Sequence, residues 1–137
     1  ARDGILMRRA RALWRDDRGS AVAEVTMVAG LLTLVVLSVM QLALGLHVRN
    51  VLQDAAAEGA RYGALAGSSP AAGVDRAQAL IDAAIGADYA QSVTAATTTV
   101  AGHPALQLTV QAPLPVLGLI GPTTLEVQGS AALETVE

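Results

Sequence analysis

The chain has 137 residues, 53% of them hydrophobic, yet it contains no Phe, one Trp and two Tyr, so a large aromatic core is excluded. It contains no Cys, which removes disulfides and thiolate metal sites; a folded unit below about 80 residues then leans on a partner. The net charge of −3 hides an asymmetry: residues 1 to 19 carry six Arg against three Asp, and the remainder three Arg against nine acids.

Residues 1 to 19 form a short charged leader without a usable apolar face. Met7 is a candidate start, since Ala1 is not an initiator. A basic flank before an apolar segment is expected to stay cytoplasmic, with the C-terminal side translocated. A basic cluster can also contact nucleic acid or anionic lipid, but topology already accounts for this one. No nucleic-acid partner is expected.

From Val25 to Val48 no side chain carries a fixed charge, and these 24 positions exceed the roughly 20 needed to cross a bilayer core. The run is too long for the usual apolar core of a secretory signal, and no small-x-small site closes it cleanly. The reading is a membrane span at 25–48 with cleavage before the apolar run. Thr26, Thr33 and Ser38 return their hydroxyls to the preceding turn at little cost. Gln41 would prefer another helix as partner, and His47 reads as an interfacial residue at the outer boundary.

The helical pattern continues past the span. Val48, Val51, Leu52, Ala55, Gly59, Tyr62 and Ala66 recur at spacings of three and four, with Asn50, Gln53, Asp54, Glu58 and Arg61 on the other side. This face is built largely of small residues, with Ala55, Gly59 and Tyr62 as its helix-packing motif. It would let a neighbouring helix approach closely. A helix from about 21 to 66 would be on the order of 70 Å long, more than a bilayer needs.

Gly67-Ser68-Ser69-Pro70 breaks that pattern, with Ser69 suited to cap a second helix and Pro70 to begin it. Val74, Ala77, Leu80, Ile81, Ala84 and Ile85 give that helix one apolar stripe, and Gly86 is a plausible stop. Beyond Gly86 the period changes to two. Leu106, Leu108 and Val110 alternate with Gln107, Thr109 and Gln111; Leu125, Val127, Gly129, Ala131 and Leu133 form a second alternating face. Ser92 to Val100 is β-prone but alternates weakly. Gly102-His103-Pro104 is expected to turn into the second strand, and Pro113-Leu114-Pro115 to end it before an apolar linker to about Thr123. The expected fold is α+β: a long N-terminal transmembrane helix extending outside the membrane, then a short helix packed on an antiparallel sheet of about three strands. The domains read as a basic cytoplasmic leader at 1–19, the long helix at 20–66 and a small extracytoplasmic domain at 67–137.

Catalytic chemistry finds little support. His47 and His103 share no motif and have no carboxylate at ligand spacing. No Ser stands in a Gly-x-Ser-x-Gly or Ser-x-x-Lys setting, and no phosphate-binding glycine loop occurs. Asp82 and Asp88 read as solvated surface acids. The chain is therefore read as a non-enzyme with no cofactor, no metal and no small-molecule substrate.

The Gly19-Ser20 junction is different. With Ser20 counted as the first residue, Glu24 is the fifth, and the arrangement resembles the type IV prepilin pattern, in which a membrane aspartic protease cuts after Gly and leaves Glu at the fifth mature position. Val25 follows where that family usually has Phe or Tyr. A second block, Val48 to Tyr62, ends in Ala55-Ala56-Ala57-Glu58-Gly59-Ala60-Arg61-Tyr62. It resembles the helix of TadE-like proteins, minor pilin or pseudopilin subunits of tight-adherence (Tad/Flp) type IV pili. The resemblance covers about residues 18 to 66; the tail, with its acidic end at Glu134 and Glu137, is similar only in pattern.

The resemblance implies a structural subunit processed by prepilin peptidase at Gly19 and Ser20, single-pass in the inner membrane and acting in pilus assembly, adhesion or secretion. Its implied partners are the membrane, the peptidase and other pilin-type subunits. Glu24 would serve subunit assembly: a carboxylate at the edge of the hydrocarbon is expensive unless paired, and cleavage creates an α-amino group for a neighbour's Glu24. The alternative is a signal-anchored binding module that is neither cleaved nor incorporated in a pilus, with Glu24 solvated in the headgroup region.

Overall fold

In a computed structural model, residues 2–114 and 124–135 are described, those at 12–15 by backbone only. The linker expected up to Thr123 and the acidic Glu137 fall largely or wholly outside these residues. The elements are helix α1 (Arg2–Ala64), helix α2 (Pro70–Ile85), a 3-10 turn (Ala87–Tyr89), and strands β1 (Ser92–Val100), β2 (His103–Pro113) and β3 (Thr124–Ala132). They form an α+β chain that divides into two units, Ala1–Met40 and Gln41–Glu137.

The first unit is helical from Arg2 onward, so α1 begins well before the expected position near residue 21. An apolar stripe is not needed for that: Arg, Ala, Leu and Met dominate the leader, and all are good helix formers. Thr26, Thr33 and Ser38 donate their hydroxyls to the carbonyls of Val22, Ala29 and Leu34 at 2.7–2.8 Å. Each thereby satisfies its polar group within the helix.

In the second unit, Gly67 leaves the helix with φ 81°, and Ser69 restarts it. The Ser69 Oγ accepts from the Ala72 N–H at 3.1 Å, with Pro70 in the first turn. Gly86, at φ 104°, ends α2 and donates its N–H to the carbonyls of Asp82 and Ile81. The sequence signals for both ends of α2 therefore act where they stand.

The three strands form an antiparallel meander in the order β1-β2-β3. Leu106, Leu108, Val110 and Ala112 of β2 point inward, level with Val93 and Ala95 of β1 and with Leu125, Val127, Gly129 and Ala131 of β3. Leu52 of α1 and Ile81 of α2 are fully buried in the same core. The turn between β1 and β2 is Ala101-Gly102, both at positive φ (50° and 82°) and flanked by the pair Val100 and His103. That is the two-residue mirror-image turn that matches strand twist. His103 and Pro104, expected in the turn, are instead the first residues of β2.

Two prolines within β2 are tolerated because of where their missing N–H would point. The Pro104 carbonyl accepts from the Leu133 N–H at 3.1 Å, so Pro104 faces the β3 side just past the last paired residue, Ala132. By alternation Pro113 faces the β1 side, past Ser92. Neither interrupts a ladder bond.

Candidate processing and assembly site

The segment from Gly19 to Met40 presents large apolar side chains outward. Val22, Val25, Met27, Leu31, Leu34, Val39 and their neighbours are 45–77% exposed. Within this helix lies an 18-residue window apolar enough to cross a membrane, and none of it is buried within the chain. Such a contiguous surface is far larger than a monomer in water normally leaves open. By length and composition the helix suits a membrane anchor.

Gly19, Ser20 and Glu24 are all exposed on α1, with Glu24 at the start of the apolar stretch. A side chain added at Gly19 would meet nothing within 4 Å, and the same is true at Gly30. Packing within the chain therefore gives no reason for glycine at position 19.

Farther along α1, Gly59 and Gly63 behave in the opposite way. A Cβ at Gly59 would lie 2.7 Å from the Gly73 carbonyl oxygen, 2.8 Å from the Ala77 Cβ and 2.8 Å from the Leu108 Cδ2. One at Gly63 would lie 2.6 Å from the Leu106 Cδ2, and one at Gly73 would lie 2.6 Å from the Gly59 oxygen. At Gly129 of β3 the obstruction is the backbone of Ala56 and Ala57. Small residues thus bring three backbones, those of α1, α2 and β3, into near contact.

The buried side of α1 is Val48, Leu52, Ala55, Ala56, Gly59, Ala60, Gly63 and Ala64. Of the three motif residues, Ala55 and Gly59 lie on it, whereas Tyr62 is 45% exposed. Val51 is half-buried and Ala66 exposed, so the face is turned from the one the sequence suggested. The cause is α2, whose own Gly73 and Ala77 admit only the smallest residues. The helix that approaches this seam is the chain's own.

Polar contacts fix α1 to the edge of the sheet. Gln53 donates its side-chain amide to the Gln128 carbonyl at 2.8 Å. Glu134 donates its backbone N–H to the Ala64 carbonyl at 2.9 Å, and its carboxylate accepts from the Ala66 N–H at 3.2 Å. The first bond satisfies a carbonyl that the end of a helix leaves open, and the second pairs an N–H just past that end. In the sequence Glu134 reads only as part of an acidic end; no local signal pairs it with a helix terminus 70 residues earlier.

An open groove of about 510 Å³ runs between α1 and α2, lined by Val51, Leu80 and Ala84 with Asp54, Glu58 and Arg61 among its charged residues. Among the described residues, no cluster of three or more His, Cys, Asp or Glu side chains could hold a metal. His47 and His103 are both exposed.

The comparisons with known proteins bear on the helix. Searches of curated proteins and of solved structures return no match. A family model described as TadE-like protein matches residues 19–61, a span that begins at the Gly19-Ser20 junction and takes in the apolar run, Ala55, Gly59 and Gln53. The family is pilus-associated and structural. Over residues 19–61 the chain is thus similar to TadE-like proteins.

Proposed function

We propose that this chain is a minor pilin or pseudopilin of a Tad/Flp pilus, cut by prepilin peptidase between Gly19 and Ser20. One observation carries the reading: a fully exposed apolar helix, in a TadE-like segment, bears a single carboxylate five residues beyond a glycine that intrachain packing does not require. The spacing to Glu24 sets Gly19 apart from the equally unobstructed Gly30, and its role lies in the narrow cleft of a protease. The leader stays cytoplasmic because of its arginines, and residues beyond the span fold outside.

After cleavage, Ser20 carries a new α-amino group and Glu24 lies one helical turn away. In an assembly of such helices, Glu24 of one subunit pairs with the Ser20 amino group of the next, which neutralises both at the edge of the apolar layer. The remaining apolar side chains pass from lipid to the helices of neighbouring subunits.

The test is the N-terminal sequence of the protein isolated from cells with active prepilin peptidase. Ser20 is the expected first residue, and a Gly19→Leu variant should retain its leader. An intact leader in the unsubstituted protein would overturn the reading and favour an uncleaved signal-anchored module. A Glu24→Ala variant should be cleaved normally yet fail to co-purify with pilus components.

A further inference from the structure

The two edges of the sheet are treated differently. At β3, Gln53 of α1 binds the Gln128 carbonyl, and Glu126 adds a charge. Among the described residues, β1 has no such protection. Ser92-Val93-Thr94-Ala95-Ala96-Thr97-Thr98-Thr99-Val100 has no charge, no proline and no bulge, and pairs with β2 without interruption from end to end. Natural edge strands normally carry at least one of these devices.

The direction of the unpaired groups follows from the register. The Gln128 carbonyl faces away from β2 toward Gln53, so its partner Thr109 turns its own backbone groups toward β1 and Thr94. The Pro104 carbonyl, which faces the β3 side, has the parity this requires. By alternation Ser92, Thr94, Ala96 and Thr98 bond β2, while Val93, Ala95, Thr97 and Thr99 direct N–H and C=O outward. Among the described residues, those four outward-facing residues have no other hydrogen-bond partner.

We infer that β1 is a homotypic docking edge, which pairs antiparallel with β1 of a second copy of this chain about an axis at Ala96. Self-pairing fits the strand on three counts. About Ala96 the outward residues map onto one another, Ala95 to Thr97 and Val93 to Thr99, so every outward group gains a partner. The core-facing side chains Val93 and Ala95 stay on the core face, which makes one continuous six-stranded sheet of two three-stranded ones. Finally, a strand without charge meets its own copy with no like charges opposed. This goes beyond the role in pilus assembly and does not depend on cleavage.

The absence of cysteine makes the test clean, because an introduced thiol is the only one present. In the full chain in detergent micelles, Ala96→Cys faces its own copy across the axis with Cα atoms about 4.5 Å apart, within disulfide range. Mild oxidation should give a covalent dimer. Thr94→Cys, opposite Thr98 and thus about 14 Å from its own copy, should stay monomeric. Adding Thr97→Pro to Ala96→Cys deletes one outward N–H and no bond to β2, so it should abolish the dimer while hydrogen exchange at β2 is unchanged. The inference is overturned if Ala96→Cys stays monomeric. It is equally overturned if both cysteines cross-link alike, or if the dimer survives Thr97→Pro.

Discussion

Two stretches of one helix, 20–40 and 48–64, both present aliphatic residues, the first all round and the second along one side, and they solve opposite problems. In the first, Val, Leu and Met stand exposed on every side; in the second, Ala and Gly are buried and the larger Tyr62 is left outside. Burial normally favours the larger apolar residue, since it removes more area from water. Val48 and Leu52 follow that rule, but from Ala55 to Ala64 the order is reversed because the two surroundings differ. The first stretch needs a medium and can meet it with bulk. The second meets backbones of α2 and β3 at fixed distance, where the limit is space.

The sharpest way to break this comparison is to exchange the roles of two glycines. Gly59→Leu forces a side chain into the Gly73 carbonyl and the Ala77 methyl, and should cost about 3 kcal/mol or more, read as lost hydrogen-exchange protection at β2. Gly30→Leu, with nothing within 4 Å, should leave that protection unchanged. A charge tests the other stretch: Leu34→Lys should disfavour membrane insertion by about 2.5–3.5 kcal/mol, measured by partition into vesicles, without changing exchange at β2.

Smaller effects refine the picture. Gln53→Ala removes the bond to the Gln128 carbonyl and should cost about 0.5–1.5 kcal/mol, by denaturant titration of the full chain in micelles. The smallest change should stabilise. Ala101 holds φ 50°, which Asn adopts more readily, so Ala101→Asn should raise stability by up to about 1 kcal/mol in the same titration.

The parts of the fold that were legible in the sequence share a local cause. Ser69-Pro70 and Gly86 mark the ends of α2 through their own backbone preferences, and Leu106-Leu108-Val110 alternate because one face of β2 meets water. What was not legible depends on a distant partner. The buried side of α1 could not be phased from the sequence, because in Ala- and Gly-rich helix adjacent stripes are almost equally apolar. Distant residues, among them Gly73, Ala77 and Gly129, select between them. The turn was misplaced by a residue or two for a related reason: alanine is a poor signal for a left-handed backbone, so Gly102 drew the turn toward His103 and Pro104. The leader's helix was missed because it has no face to give it a period. Of the candidate site, the proposed roles of Gly19, Ser20 and Glu24 rest on spacing, a property of the chain alone; the helix that fills the seam depends on distant residues and was not legible.

The contacts that join α1 to β3 have an order along the chain. Gln53 meets Gln128, Ala56 meets Gly129 and Ala64 meets Glu134, so helix and strand advance side by side in the same direction. A tension applied along α1 therefore loads these three attachments at once, in shear, and does not peel them one after another. For a domain pulled through this helix, that geometry sets how it yields under force: by sudden slippage of the whole seam, with the rate of unfolding as the quantity that matters.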